Sequence, residues 1–456
     1  MANKRRPKKS VVPYRKYVAG VGYVTNTKTV KEMKALNGQG IFSDDEVESL
    51  SSDLEAVNLE NYKENSHLLP MELYAKILDY AIDFDNDENF NPKKRTKETK
   101  AKIVYKDYAL VSRAFYYLMI PRLYNTPHLT SKNFLAFMNV LDADKKMKRN
   151  LKKNKDEILQ PYVLSDFVNT LDLSMIIQSG KNSIISKLLR RCSSNLVEFI
   201  APQTSFGMLS LTTLKACSNL EVLNLQLVAE KVDLNELFPS LNKFKNLKSL
   251  ALPRSSYNCD LLAENYTLRK ISFDNDAIWP PNLEDVTLSG NLTNDFIELC
   301  FLPVNLKKLS ISHCPLLDDV SIYKILDRCG STLESIHFQY PLTKLRSDSL
   351  DDVLRYCSSS LKEMSILADN ISQYFFLDET HFAPNLETMT ILCSGSLSQL
   401  NKIHPDDITI ALVENRFPSL KNLYISMRIG WDMKSDDIED LITVFEDQGG
   451  SIYMIY

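Results

Sequence analysis

LKKLSISHCPLLDDVSIYKIL, residues 306–326, combines an alternating apolar phrase with an apolar stripe of helical spacing. In LKKLSI (306–311), Leu309 and Ile311 stand two positions apart and fit one face of a short strand, because side chains on a strand alternate between its two faces. In VSIYKIL (320–326) the apolar residues recur at three and four positions, which is the spacing of one face of a helix. The stretch therefore predicts a strand that is followed by a helix.

The strand phrase, Leu-x-x-Leu-x-Leu or a close apolar equivalent, recurs from about residue 165, and most copies begin 21 to 28 residues apart. The copies are LEVLNL (220–225), LKSLAL (247–252), LEDVTL (283–288), LKKLSI (306–311), LESIHF (333–338), LKEMSI (361–366), LETMTI (386–391) and LKNLYI (420–425), with weaker copies VNTLDL (168–173), LVEFIA (196–201) and LRKISF (268–273). This period resembles that of the leucine-rich repeat, in which short parallel strands stack side by side. We therefore expect an α/β fold, a leucine-rich-repeat solenoid over residues 161–456.

The segments between the strands carry helical stripes that end in cysteine. Three of them share one register: Ile185, Leu188, Leu189 and Cys192; Ile322, Ile325, Leu326 and Cys329; Leu350, Val353, Leu354 and Cys357. All eight cysteines lie at or beyond Cys192 without a Cys-x-x-Cys pair, so we expect buried, reduced thiols and no metal site. This pattern resembles the cysteine-containing type of leucine-rich repeat.

Asparagine stands immediately before the first leucine in six copies of the strand phrase. These residues are Asn195, Asn219, Asn246, Asn282, Asn305 and Asn385. Asparagine tolerates left-handed backbone geometry and hydrogen-bonds nearby backbone groups. The pattern therefore predicts a tight turn into each strand.

Two apolar phrases precede the repeats, LLPMELYAKILDYA (68–81) and YALVSRAFYYLMIPRLY (108–124). Each shows two apolar stripes at helical spacing, and Pro70 suits a first helical turn. Helices of this length cannot bury every apolar face within so small a module. The surplus apolar surface is expected to contact a partner.

The order of residues in the two phrases resembles the F-box, a short helical module of ubiquitin-ligase subunits. The matching residues are Leu69-Pro70, Leu73, Ile77-Leu78, Val111-Ser112-Arg113, Pro121 and Leu123-Tyr124, with Phe115 where the family usually has Trp. The resemblance implies docking to a Skp-type adaptor and, through it, to a cullin scaffold. The predicted docking residues are Leu69, Pro70, Met71, Leu73, Ile77, Leu78, Val111, Phe115, Pro121 and Leu123.

The chain thus divides into four predicted segments. Residues 1–62 form a disordered, charged N-terminal tail, because opposed charge blocks with little apolar content cannot build a core. A small all-α F-box-like module spans 63–135, with an inserted loop at 82–107, and a basic linker spans 136–160 before the repeats.

Composition excludes several classes of function. A net charge of −4 and a pI near 6.0 give no global attraction to nucleic acid, and no apolar stretch approaches the length of a membrane helix. Glycine numbers only 12, with no phosphate-binding loop, and the six histidines form no ligand or base pattern. We expect a non-catalytic protein without cofactor or metal, in the cytoplasm, the nucleus or both.

The residues between the leucines are expected to face outward from the strands. They are mostly small and uncharged, which suits a folded protein or peptide better than the phosphates of a nucleic acid. The predicted target-binding residues are Asn224, Gln226, His337, Gln339 and Tyr424. With the F-box resemblance, this implies a substrate-recognition subunit of an SCF-type (Skp–cullin–F-box) ubiquitin ligase that promotes degradation of its target. The alternative is an interaction scaffold that binds the adaptor and degrades nothing.

Overall fold

A computed structural model of the chain describes the segments 12–18, 22–28, 69–86, 105–151, 163–176, 182–272, 279–299, 302–357, 359–395 and 403–456. The chain divides into two compact units, Met1–Ile77 and Leu78–Tyr456.

In the first unit, strands β1 (Val12–Val18) and β2 (Gly22–Lys28) pair antiparallel. β1 contains two Val and two Tyr, and β2 contains Tyr, Val and two Thr, residues that favour extended backbone. These residues therefore differ from the predicted disordered tail, and the rest of 1–62 lies outside the described residues. Helix α1 (Met71–Asn86) begins here, and the carbonyl of Pro70 accepts the N–H of Leu73 at 3.0 Å, as expected of a proline at a helix start.

The second apolar phrase forms two helical segments instead of one. Residues 105–109 are helical, residues 110 and 111 form a turn, and helix α2 (Arg113–Asn125) follows. The hydroxyl of Ser112 accepts the N–H of Phe115 at 3.2 Å, and this cap starts α2 after the turn. The predicted loop 82–107 is helical at both ends, and its residues 87–104 lie outside the described residues.

Helix α3 (Phe134–Leu151) occupies much of the predicted linker 136–160. Phe134, Met138 and Leu141 are buried in the same apolar core as the first repeats, and Asp142 forms ion pairs with Lys187 and Arg191. The expectation of a plain linker is therefore wrong for residues 136–151, because they belong to an amphipathic helix whose apolar side packs on the repeats. Residues 152–162 lie outside the described residues.

In the described residues, the repeats build one parallel sheet of eleven strands, in which each strand pairs with the strand of the neighbouring repeat. In sheet order the strands are β3 (Thr170–Asp172), β4 (Glu198–Ile200), β5 (Val222–Asn224), β7 (Ser249–Ala251), β9 (Asp285–Leu288), β10 (Lys308–Ser312), β11 (Ser335–Gln339), β12 (Glu363–Leu367), β13 (Thr388–Leu392), β14 (Asn422–Ser426) and β15 (Ser451–Ile455). Two short strands, β6 (Val232–Asp233) and β8 (Ser256–Tyr257), pair separately.

Helices alternate with these strands along the chain. They are α4 (Asn182–Cys192), α5 (Met208–Leu214), α6 (Leu234–Leu241), α7 (Cys259–Ser272), α8 (Asn294–Leu299), α9 (Asp319–Cys329), α10 (Val353–Cys357), α11 (Tyr374–Leu377), α12 (Pro405–Val413) and α13 (Asp436–Asp447), with 3₁₀ turns at Leu164–Phe167, Gly330–Thr332, Ala368–Asn370 and Met427–Ile429. The alternation of strand and helix confirms the predicted α/β leucine-rich-repeat fold.

The leucines of the strand phrase point into the core as predicted. Leu306, Leu309 and Ile311 are fully buried, and the corresponding residues of the other repeats join them in one apolar cluster. The weak copy LRKISF (268–273) is the exception, because residues 268–272 belong to α7. Conversely, β15 was not predicted.

The predicted burial of the cysteines is confirmed for the seven that the structure describes, all of which are unpaired. Cys329 and Cys357 donate to the carbonyls of Ile325 and Val353, each at 3.1 Å. Burial raises the pKa of both thiols to about 12, so they remain neutral and act as small apolar residues.

The asparagines before the strands connect successive repeats. Five of the six donate their side-chain N–H to a carbonyl of the preceding repeat: Asn195 to Asp166 at 2.5 Å, Asn219 to Ser194 at 2.8 Å, Asn246 to Ser218 at 3.5 Å, Asn282 to Lys245 at 2.8 Å and Asn385 to Ser359 at 2.8 Å. Each bond satisfies a turn carbonyl and fixes the register between neighbours.

Asn219→Ala is expected to lower the free energy of unfolding by about 1 kcal/mol, because it leaves the carbonyl of Ser194 without its side-chain donor. Asn246→Ala is the matched control, and we expect a smaller loss because its bond is longer, 3.5 Å against 2.8 Å. Urea unfolding followed by circular dichroism measures both. Equal losses in the two variants would show that the lengths of these hydrogen bonds do not determine how much each asparagine contributes to stability.

Candidate functional site

The side chains between the leucines lie on the sheet face opposite the helices. We call this the polar sheet face, and its central row runs through residues that the strand register aligns: Asp172, Ile200, Asn224, Ala251, Thr287, Ser310, His337, Ser365, Thr390, Tyr424 and Tyr453. Small and hydroxyl side chains dominate the centre of the row, whereas aromatic rings occupy one end.

All five predicted target-binding residues lie on this face. Asn224, His337 and Tyr424 belong to the central row, and Gln226 and Gln339 stand two positions further along their chains. His337 lies three strand spacings, roughly 14 Å, from Tyr424. It lies four strand spacings, about 19 Å, from Asn224. The residues therefore form a strip along the sheet and not a single pocket.

At one end of the strip, Asn224 and Gln226 already have partners within the fold. The side chain of Asn224 accepts the N–H of Gln226 at 3.0 Å. The amide of Gln226 donates to the hydroxyl of Ser312 at 3.2 Å, and so reaches across two intervening strands. Asn224 thus fixes the turn after its own strand and Gln226 connects two repeats, which leaves less of their hydrogen-bonding capacity for a target.

In the middle of the strip, His337 lies among polar and charged groups. Its Nε2 is 2.7 Å from the hydroxyl of Ser335 and 4.0 Å from a carboxylate oxygen of Glu363. Burial lowers the pKa of His337 and Lys308 adds to the effect, while Glu363 and the more distant Asp285 act in the opposite direction. His337 is therefore neutral at pH 7 and can accept or donate a hydrogen bond.

The lowered pKa of His337 predicts a loss of stability in weak acid. As the pH falls through about 6.5, the unfolded chain takes up a proton that folded His337 resists, so the free energy of unfolding decreases. His337→Gln lacks this group, and we expect the stability of the wild-type chain relative to the variant to fall between pH 7 and pH 5. Urea unfolding at each pH measures the difference, and a difference independent of pH would contradict the assignment.

At the other end of the strip, two tyrosines stack. The ring centroids of Tyr424 and Tyr453 are 4.9 Å apart and their planes differ by 19°. The sequence prediction missed Tyr453, because its strand lacks the leading leucine of the repeat phrase. The alternation in SIYMI (451–455) is the signal that marks it as a strand.

Charged residues at the second position of the strand phrase neutralise one another. They alternate in sign from repeat to repeat, and three pairs are in contact: Lys248 with Glu221 at 2.8 Å, Lys307 with Glu284 at 2.8 Å and Lys362 with Glu334 at 2.7 Å. These paired charges therefore form no run of positive charge that a phosphate backbone could contact.

Most of the predicted adaptor-docking residues are accessible. Leu69, Met71, Leu73 and Ile77 are exposed, Val111 is 63% exposed, Pro121 and Leu123 are half-buried, and Pro70 precedes α1. Within the two apolar phrases, four residues outside the predicted set are also exposed: Tyr80, Leu110, Tyr116 and Tyr117. Exposed apolar side chains in such number are typical of a surface that another protein covers.

Two of the predicted docking residues, Leu78 and Phe115, contribute to a small apolar core. Leu78 is 1% exposed and forms a small core with Ile82 and Met119, against which Phe115 packs. These side chains hold the second unit's helical segments together, so Leu78 is not available to a partner.

Other chemistry is not evident in the described part of the chain. Across its segments, no three His, Cys, Asp or Glu residues are grouped so that they could hold a metal ion. None of its helices has the length and apolar character that crossing a membrane requires.

Comparison with known proteins identifies the family. The chain is 37% identical over 507 aligned residues to the F-box protein YDR306C of Saccharomyces cerevisiae, and the alignment covers 100% of both chains. The chain belongs to the F-box proteins. This F-box protein is also 30% identical to the protein pof5 of Schizosaccharomyces pombe over 386 residues, which cover 84% of this chain and 98% of pof5.

Two solved structures show partial likeness to this F-box protein. The yeast Rad7–Elc1 complex aligns with a TM-score of 0.43 and 15% identity, over 58% of this chain and 65% of that one. The leucine-rich-repeat protein LegL7 of Legionella pneumophila aligns with a TM-score of 0.40 and 14% identity, over 63% of this chain and 89% of that one. No protein-family model matches the chain.

Proposed function

We propose that this F-box protein is the substrate-recognition subunit of an SCF-type ubiquitin ligase, present in the cytoplasm, the nucleus or both. The observation that carries the proposal is an F-box relative that matches the whole chain, together with the accessible apolar residues of the two F-box-like phrases. The chain would be a non-catalytic subunit, since the transfer of ubiquitin is performed by other components of such a ligase.

The adaptor is a Skp-type protein that links the chain to a cullin. Leu69, Met71, Leu73 and Ile77 of the first phrase and Val111 of the second would lose their exposure to water in the complex. Each apolar side chain that becomes fully buried contributes about 1.5–3 kcal/mol to association. These exposed side chains are the ones that we propose for docking.

The polar sheet face would hold the target. Its central row places His337, able to donate or accept, between small hydroxyl side chains and the tyrosine pair. Bound there, a target protein would be kept near the conjugating enzyme, and its lysines would react at a raised effective concentration. Proximity is then the whole contribution of this subunit to the reaction.

Two experiments test the proposal. The purified chain is mixed with the Skp adaptor and the mixture is resolved by size-exclusion chromatography. A stoichiometric complex is expected, and the absence of one would overturn the docking assignment.

Affinity purification under proteasome inhibition then identifies the bound target, whose half-life is expected to lengthen when the chain is deleted. An unchanged half-life would favour the non-degradative scaffold.

A further inference from the structure

The sheet of this F-box protein has an open edge at β15. Within the described residues, β15 has β14 as its single strand neighbour. Its sequence SIYMI (451–455) contains none of the charged residues or prolines by which edge strands usually resist pairing. An edge of this kind is suited to accept another strand.

The backbone groups that face the open side can be assigned from the register. The N–H of Ser451 donates to the carbonyl of Lys421 at 2.8 Å, and Ser451 is aligned with Asn422. In a parallel pair, alternate residues turn their N–H and C=O toward the same neighbour. Ile452 and Met454 therefore direct their backbone groups away from β14, where an added strand would meet them.

The side chains on the polar sheet face extend the same interface. Tyr453 stacks on Tyr424 with one ring face and is 43% exposed. The 4.9 Å between the two rings matches the spacing of neighbouring strands. A residue of an added strand in register with Tyr453 would therefore lie against its free face, where an aromatic ring is best accommodated.

On the opposite side of the sheet, the edge is acidic. Residues 431–456 contain seven acidic residues and one lysine. Helix α13 buries Ile438, Leu441 and Phe445, and the side-chain amide of Gln448, beyond its end, donates to the carbonyl of Leu412 in α12 at 3.0 Å. Because Gln448 marks the side of α13 that faces α12, we infer that the other lateral side, with Glu439, Ile442 and Glu446 at helical spacing, faces the open edge.

These charges discriminate between the possible occupants of the edge. Two copies of the chain joined through β15 would place two such acidic helices beside each other, and like charges at short range oppose association. A basic segment has the complementary charge. Lysine or arginine can lay its aliphatic stem over Ile442 and Met454 and place its charge at Glu439 or Glu446.

We propose that β15 is the docking site for an extended basic segment of the target protein, which joins the sheet as a further parallel strand. The segment places an aromatic residue in register with Tyr453 and lysine or arginine in register with Ile452 and Met454. The N–H of the aromatic residue donates to the carbonyl of Ile452, and its carbonyl accepts the N–H of Met454. The inference rests on the proposed function only in assigning the segment to a target.

The test uses the full chain and the peptide Thr-Lys-Tyr-Lys-Thr-Lys-amide with fluorescein on its N-terminal amine, and fluorescence anisotropy is the readout. Met454→Pro removes a free edge N–H without breaking a bond to β14, and Met454→Leu is its control. Glu439→Lys with Glu446→Lys reverses the charge beside the edge, and Glu236→Lys with Glu264→Lys, on α6 and α7, is the matched double reversal elsewhere. We expect both test variants to weaken binding by about tenfold or more and both controls to bind as the wild type does.

A second set of probes keeps the protein unchanged. The same peptide with an N-methyl group on its tyrosine nitrogen lacks the donor to the carbonyl of Ile452, and the peptide with glutamate in place of lysine has the wrong charge. Both are expected to bind at least about tenfold more weakly. Equal binding of either probe, or unaltered binding by Met454→Pro, would overturn the proposal.

Sedimentation velocity measures whether the chain forms a dimer. A wild-type dimer that the Met454→Pro substitution dissociates would assign the edge to a second copy of the chain and would also overturn the proposal. Binding of the Skp adaptor to Met454→Pro is measured in parallel. Failure of the adaptor alone would count against the proposed function, whereas failure of the peptide alone would count against the edge site.

Discussion

Leu73→Asp is expected to weaken binding of the Skp adaptor by at least about 100-fold while leaving the unfolding of the repeat domain unchanged. Leu73 lies on α1 and is 43% exposed, so the free chain loses little packing when it is replaced. In the complex, the variant would lose the burial of a leucine and would have to desolvate a carboxylate. A 100-fold loss corresponds to about 2.7 kcal/mol, which these two effects together readily supply.

Isothermal titration calorimetry with the purified adaptor measures this loss. Val413→Asp is the matched control, since Val413 is an exposed apolar residue on α12 and the same change is made within the repeats. We expect Val413→Asp to bind the adaptor as the wild type does. Wild-type affinity of Leu73→Asp for the Skp adaptor would contradict the docking assignment for the first phrase.

Phe115 is a poor position for the same test. It packs against Leu78, Ile82 and Met119, so an aspartate there would disrupt the small core of the helical segments. A loss of adaptor binding by such a variant would report unfolding and not a lost contact. Leu73 separates the two effects because its side chain is accessible.

The contrast between Leu73 and Leu78 shows what a helical pattern can predict. Both belong to apolar stripes of α1, and the pattern correctly predicts a helix with more than one apolar face. Which face is buried depends on Met119 and Phe115, which lie beyond a long insertion. No local signal in the first phrase decides this, so the sequence could not distinguish Leu78 from its exposed neighbours.

The strands of the repeats were more predictable because the same phrase recurs at a regular spacing, so each copy supports the assignment of the next as a strand. The failures lie where one copy departs from the phrase. In LRKISF, Leu268 and Ile271 are three positions apart, a spacing that fits a helix as well as a strand, and the structure places both in α7.

At β15, Gly449 stands at the position that the register aligns with the leading leucine, and its backbone conformation favours glycine there, while packing favours glycine at the next position. A side chain at Gly450 would come within 2.5 Å of the ring of buried Phe445, and Gly449 has a φ of +77°. Only glycine fits both conditions without strain. A search for leucine at this position therefore fails, and with it the prediction of Tyr453 and of the open edge.

Phe338→Ala is expected to lower the free energy of unfolding of the repeat domain by about 3–5 kcal/mol, the usual cost of truncating a fully buried phenylalanine. Phe338 lies in β11, in the interior of the sheet, has no exposed surface and is aligned with buried Ile311 of β10. The expected loss is large compared with the roughly 5–15 kcal/mol that stabilises a typical domain.

The matched control is Gln339→Ala, which alters the next residue of the same strand but on the exposed side, and we expect a change of less than about 0.5 kcal/mol. Urea unfolding gives the totals, and hydrogen exchange shows where the loss falls. Because each repeat contacts mainly its neighbours, the cavity should raise exchange most in β10, β11 and β12. Uniform acceleration across all eleven strands would instead show that the sheet unfolds as a single cooperative unit, and the stacked repeats would then be less independent than their contacts imply.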